Sequence, residues 1–113
     1  TLTSYGVRHG APPDGLTLAL DCRAIRNPHR NRDLRYLSGL DPRVAREVMR
    51  HPEALDLIDR IVTIARNGDS IGLYCFGGRH RSVAIAEAAA LRLRTIGRTV
   101  TVIHRDIHAA KPS

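Results

Sequence analysis

Leu73-Tyr-Cys-Phe-Gly-Gly-Arg-His-Arg-Ser-Val83 is the stretch on which the fold turns. An apolar run, Ile71 to Cys75, enters it, and an alanine-rich helical run, Val83 to Ile96, leaves it. Between them stand Gly77 and Gly78, then Arg79, His80 and Arg81, with Ser82 at the mouth of the helix. The pattern predicts a strand, a tight turn and a helix N-terminus that carries cations. Free backbone N–H groups and the positive end of the helix dipole then converge on one spot, a setting in which a phosphate is held.

Working outward, Thr1 to Arg8 mixes β-formers with polar residues and reads as a first strand. His9 to Gly15 is a proline- and glycine-bearing turn, and Leu16 to Cys22 is a short apolar run of the kind found in a buried parallel strand. Arg23 to Gly39 has five arginines and no sustained period, so it reads as a long loop at a strand's carboxyl end. Open α/β sheets bind ligands on that side. By composition alone, a solvated basic loop is the plainer reading. Asp41-Pro42 opens a helix as N-cap and first residue, His51-Pro52 ends it, and Pro52-Glu53 begins a second that closes at Asn67-Gly68. The helix after the glycine turn ends at Gly97, and Thr99 to Ile103 alternates like a last strand. The expected fold is α/β: one three-layer domain over residues 1–113, with a small, mostly parallel four-stranded sheet and about three helices. Ala109 to Ser113 reads as a frayed tail.

At 113 residues the chain is large enough for one core and too small for two. No apolar run approaches the roughly 20 residues that span a bilayer, and no signal-like segment opens the sequence, so the expected address is the cytoplasm. Cys22 and Cys75 make a poor disulfide framework, and no spacing suggests a metal site or a cofactor. The formal charge is +7, and 17 of the 18 cations are arginine. A GC-rich genome explains that usage as well as nucleic-acid binding does. Net charge of this sign favours weak polyanion binding in either case.

Cys75-x-x-Gly-x-x-Arg81-Ser82 resembles the phosphate loop of cysteine-dependent phosphatases, with Cys75 as nucleophile, Arg81 as phosphate clamp and Asp41 as general acid. Tyr74 stands where that family usually carries a histidine, and a cysteine at a strand end is commonly a small buried hydrophobe. Asp21, Arg23, Asn27, His29 and Arg35 come from the neighbouring strand end and its loop. If the two strands are parallel and adjacent, these groups face the glycine turn across a crevice. A loop histidine such as His29 is otherwise usually just solvated.

Asp21-x-Arg23, Asn27-Pro-His29, Leu34-Arg35 and Gly39-x-Asp41, followed by Cys75-x-Gly-Gly-x-His-Arg-Ser-Val83, Ala86-Glu87 and His104-Arg105-Asp106, resemble in order the C-terminal domain of the RNase adapter protein RapZ. The resemblance runs over nearly the whole chain. It implies a non-enzymatic domain that senses a phosphosugar, glucosamine-6-phosphate in the best-studied branch, and that binds small regulatory RNA; the expected ligand is a phospho-metabolite, phosphosugar or nucleotide. Asn27, His29, Gly77, Gly78, His80, Arg81 and Ser82 become the ligand contacts, with Asp21, Arg23, Arg35, Phe76 and Arg79 beside them. Tyr74, Phe76 and Arg79 depart from the family's glycine, threonine and lysine. Phe76 removes a hydroxyl and adds bulk next to the anion. Full-length members also carry an N-terminal nucleotide-binding domain with a Walker-type loop, and a nucleotide-binding domain on another chain is one candidate partner; self-association is left open.

Overall fold

The strand that enters the glycine turn lies inside the sheet, and its apolar run follows from that position. The computed structural model describes residues 1–28 and 31–109. In chain order it contains β1 (Leu2–Gly6), a 3-10 turn (Val7–His9), β2 (Leu18–Asp21), α1 (Pro42–Met49), α2 (Pro52–Ile64), β3 (Ile71–Cys75), α3 (Arg81–Thr95) and β4 (Val102–His104). The sheet order is β2-β3-β1-β4, and every pairing is parallel. Leu73 of β3 is in register with both Leu20 of β2 and Ser4 of β1. With a neighbour on each edge and cover on each face, β3 has little polar surface to show.

Side chains alternate across the sheet. Leu2, Leu20, Ile71, Leu73 and Cys75 join one core with Val44 and Val48 of α1, Ala54, Ile58 and Ile61 of α2, and the apolar face of α3. The other face carries Tyr5 and Tyr74, whose rings stand 5.6 Å apart. Leu16 packs there over Gly72, so the third layer is thin: the segment linking β1 to β2, not a helix.

Both helix starts behave as their sequences predict. Asp41 accepts from the Arg43 N–H at 2.9 Å with Pro42 at the first helical position, and Pro52 opens α2. Helix α2 stops at Ile64, short of the expected Asn67-Gly68, and Gly68 (φ 87°) serves the following turn instead. Gly97 (φ 88°) does end α3: its N–H donates to Arg94 O and that of Arg98 to Leu93 O, the paired bonds of a Schellman cap. The first and last strands are shorter than the sequence suggests. β4 begins at Val102 and runs to His104, and β1 ends at Gly6, where the chain tightens into Val7–His9.

The arginine-rich segment 23–39 is not a solvated loop. Ile25 is 1 % exposed and Leu34 7 %, both inside the core cluster. Burying one such side chain contributes roughly 1.5–3 kcal/mol, enough to hold an irregular segment in one place. His29 and residues 110–113, most of the expected tail, lie outside the described residues. No helix among the described residues is long and apolar enough to cross a membrane.

Candidate functional site

The glycine turn is built by close backbone approach. Gly78 sits at φ 73°, a region that penalises any Cβ, and a Cβ there would collide with the Gly6 amide nitrogen. A Cβ at Gly6 would collide with the Gly77 carbonyl carbon. The end of β1 therefore lies directly against the turn. Gly39 fills the same role from the loop side, since a Cβ on it would meet His80 O at 2.5 Å and Ala84 N at 2.6 Å.

Cys75 lies beneath the turn, fully buried. Its Sγ accepts from the Gly78 N–H at 3.2 Å and sits 3.2 Å from Ser82 Oγ. One turn amide is thus directed at sulfur, with the serine hydroxyl in hydrogen-bond contact beside it. Cys22, also buried, has its thiol pushed well above the usual range by burial, so it is inert. The N–H groups of Arg81, Ser82 and Val83, which open α3, have no acceptor among the described residues.

The three basic side chains after the glycines reach back to the carbonyls of the 23–39 segment. Arg81 Nη1 donates to Arg23 O at 3.2 Å and Ile25 O at 3.1 Å. Arg79 donates to Tyr36 O and Leu37 O, and its own carbonyl accepts from Gly39 N–H at 2.8 Å. His80, fully buried, places Nε2 2.6 Å from Leu37 O, which requires the hydrogen on Nε2. The long segment is stapled to the turn by side chains of the turn itself. Carbonyls are neutral, however, so these bonds leave the charge standing. Arg81 is only 5 % exposed, makes no ion pair among the described residues, and has an Nε with no hydrogen-bond partner.

Asp21 and Arg23 close on each other. Arg23 Nε and Nη2 donate to the two carboxylate oxygens at 2.9 and 2.8 Å, while its guanidinium lies 5.3 Å from the Tyr74 ring centre. Hydrogen bonding from Arg23 holds the Asp21 carboxyl below its ordinary range. Asp41 is occupied in the same way: Arg43 donates side-chain and backbone bonds to it and lowers its pKa. A group that gives up its proton so readily is poorly suited to be a general acid.

The sequence expectation gathers Cys75 through Ser82, Asp21 and Arg23 at one end of the sheet, and the parallel pairing of β2 with β3 places them there. Asn27 instead lines a separate recess of about 300 Å³ with Arg26, Pro28, Asn31 and Glu47. Arg35 is half-buried within the stapled segment. Phe76 is 49 % exposed, with the Arg8 guanidinium 5.0 Å from its ring centre.

A supporting layer went unread in the sequence, although its residues stood in the motifs. Asp106 accepts from the Gly6 N–H at 2.7 Å and from Arg105, and Arg105 also donates to Gly6 O and Ala11 O. Gly6 in turn bears on Gly77 and Gly78. Beside it, His104 Nδ1 lies 2.6 Å from the buried Ser4 Oγ and its Nε2 lies 2.8 Å from Glu87 Oε2. His104-Arg105-Asp106 braces the turn through β1.

An all-parallel α/β sheet with a Cys-x5-Arg turn between its central strand and the helix that follows defines a class of small domain. Within that class the chain belongs to the RapZ C-terminal domain family, whose model matches residues 1–108. It is 40 % identical to a nucleotide-binding protein of Trichlorobacter lovleyi over 94 % of this chain and 41 % of that protein. A nucleotide-binding protein of Rubrobacter xylanophilus is 42 % identical over 96 % of this chain and 40 % of its own length. One from Ruegeria pomeroyi is 36 % identical over 99 % and 43 %. The chain spans about two fifths of the length of the curated relatives it matches.

Proposed function

We propose that this chain is a non-enzymatic binding domain that holds a phosphorylated small molecule over the glycine turn. The observation that carries this reading is the charge of Arg81. A guanidinium 5 % exposed and bonded to neutral carbonyls is costly to keep without a counter-charge. It stands in the first turn of α3, where the helix dipole and the opening N–H groups add to the same positive field. Asp21 acts on Arg81 only through its field, being paired directly with Arg23, and a phosphate there supplies a negative partner in direct contact. Arginines outside the turn give RNA a second, non-specific surface, in keeping with the family's adapter role. A nucleotide-binding unit, whether in the same protein or on another chain, is the natural partner, since the relatives named for nucleotide binding are longer than this chain. Titrating inorganic phosphate and sugar phosphates while following amide chemical shifts tests the site. Shifts confined to Gly77–Ser82 and its contacts are expected, and no response from those amides sinks the reading.

One observation favours a second reading, a cysteine-dependent phosphatase. The Gly78 N–H donates to Cys75 Sγ and the Ser82 hydroxyl lies 3.2 Å from it, the placement of a nucleophile at the base of a Cys-x5-Arg turn. The full burial of Cys75 and the occupied carboxylate of Asp41 weigh against turnover. Hydrolysis of an aryl phosphate by the wild type, lost in Cys75→Ser, would establish it; an inert wild type retires it.

A further inference from the structure

We infer that Phe76 makes the anion site selective for a phosphorylated ligand carrying a flat aromatic ring, a nucleoside 5′-phosphate, over a sugar phosphate. The inference rests on the proposed phosphate site and concerns what the rest of the ligand touches. Phe76 immediately precedes Gly77 and so opens the turn, with the Arg8 guanidinium against its ring. Half of its surface meets solvent, and it takes no part in the core cluster. It is nevertheless held. The Arg8 N–H donates to Phe76 O at 3.1 Å, and the Arg8 guanidinium covers the ring 5.0 Å from its centre. A cation on one side and solvent beyond make a fixed aromatic platform, on which a base completes an Arg–Phe–base stack.

The polar side chains around the turn argue in the same direction. A sugar phosphate is recognised through its hydroxyls, which need unspent donors and acceptors. Here the Ser82 hydroxyl is turned to Cys75 Sγ, His80 Nε2 is bonded to Leu37 O, and Asp21 and Arg23 are closed on each other. The turn thus offers charge and a ring face more readily than hydroxyl-reading groups. The base could belong to a free nucleotide or to the 5′-phosphorylated end of an RNA; the shared chemistry is a 5′-phosphate followed by a base.

Calorimetric titration of the chain with inorganic phosphate, glucose 6-phosphate, AMP and GMP tests this. The nucleotides are expected to bind about fivefold tighter than the sugar phosphate or more, the low end of what base–aromatic stacking contributes. Phe76→Ala should abolish that preference and leave inorganic phosphate unchanged. The chain has no tryptophan, so Phe76→Trp supplies a unique fluorophore, whose emission nucleotides should quench and sugar phosphate should not. A 5′-phosphorylated oligonucleotide that outcompetes AMP, with its 5′-hydroxyl counterpart failing to, identifies the RNA end as the source; AMP binding at least as tightly identifies the free nucleotide. Equal affinity for nucleotide and sugar phosphate, or a preference that survives Phe76→Ala, overturns the stacking and leaves the phosphate site intact. No binding by any of the four ligands overturns both.

Discussion

Gly6 and Gly78 occupy facing positions, yet they need the absence of a side chain for different reasons. Gly78 combines a left-handed φ of 73° with a backbone neighbour where its Cβ would go, whereas Gly6 has an ordinary φ of −112° and is constrained by space alone. Neither obstacle is a flexible side-chain tip, so the backbone itself must move. Gly6→Ala and Gly78→Ala are each expected to lower unfolding free energy by about 2 kcal/mol or more, read from urea midpoints at constant m-value. Asp106 acts on the same contact from below. Its carboxylate takes the Gly6 N–H and the Arg105 guanidinium while only 10 % exposed. Asp106→Ala leaves the buried Gly6 N–H unpaired and strips Arg105 of its carboxylate, leaving it only its carbonyl acceptors, and is expected to cost about 1.5–3 kcal/mol. If the brace works as described, the same substitution also weakens phosphate binding without touching the ligand.

Helix α1 illustrates what one capping residue does for an element. Asp41 receives the Arg43 N–H and both forks of its guanidinium, which lowers the Asp41 carboxyl from its ordinary 3.8; Asp21 is lowered from the same value by Arg23. Because the folded values lie below the unfolded ones, the stabilisation is fully present above pH 3.8 and is lost as pH falls through the folded values. Stability is therefore expected to hold from neutrality down to that point and to drop beneath it. Asp41→Asn keeps the cap but loses the charge, so it should flatten the acid limb; urea midpoints measured from pH 2 to 7 would show it. The helix ends were legible because capping is local: Asp41-Pro42, His51-Pro52 and Gly97 each act within a turn of their own position. The strand–turn–helix at 71–96 was legible for the same reason. The 23–39 segment was not, because its order comes from Ile25 and Leu34 entering the core and from carbonyls stapled by residues more than forty positions away. No periodicity announces a loop held by someone else's side chains. The role of His104-Arg105-Asp106 was hidden likewise, since β4 meets β1 only in the folded sheet.

At the scale of the whole molecule, several arginines are already committed. Arg79, Arg81 and Arg105 are consumed in holding backbone carbonyls around the turn, and Arg23, Arg43 and Arg50 are paired with carboxylates on their own segments. The net charge of +7 is nonetheless far from balanced, so the surface as a whole attracts polyanions even where no single side chain is shaped for one. Binding of that origin releases counterions and carries no sequence information. For single strands the logarithm of affinity falls with the logarithm of salt at a slope of about −0.7 per phosphate engaged. A surface contacting about four phosphates would lose roughly fifty-fold in affinity between 50 and 200 mM salt. The turn behaves differently, because a phosphate held next to a buried guanidinium is screened far less than one on the surface. The expected outcome is two salt dependences in one protein: steep for an unphosphorylated RNA oligomer, shallow for a small phosphate ligand. Fluorescence anisotropy for the first and calorimetry for the second, across the same salt series, check it. Equal slopes would mean that the small ligand sits on the outer arginines and that the glycine turn is not its site.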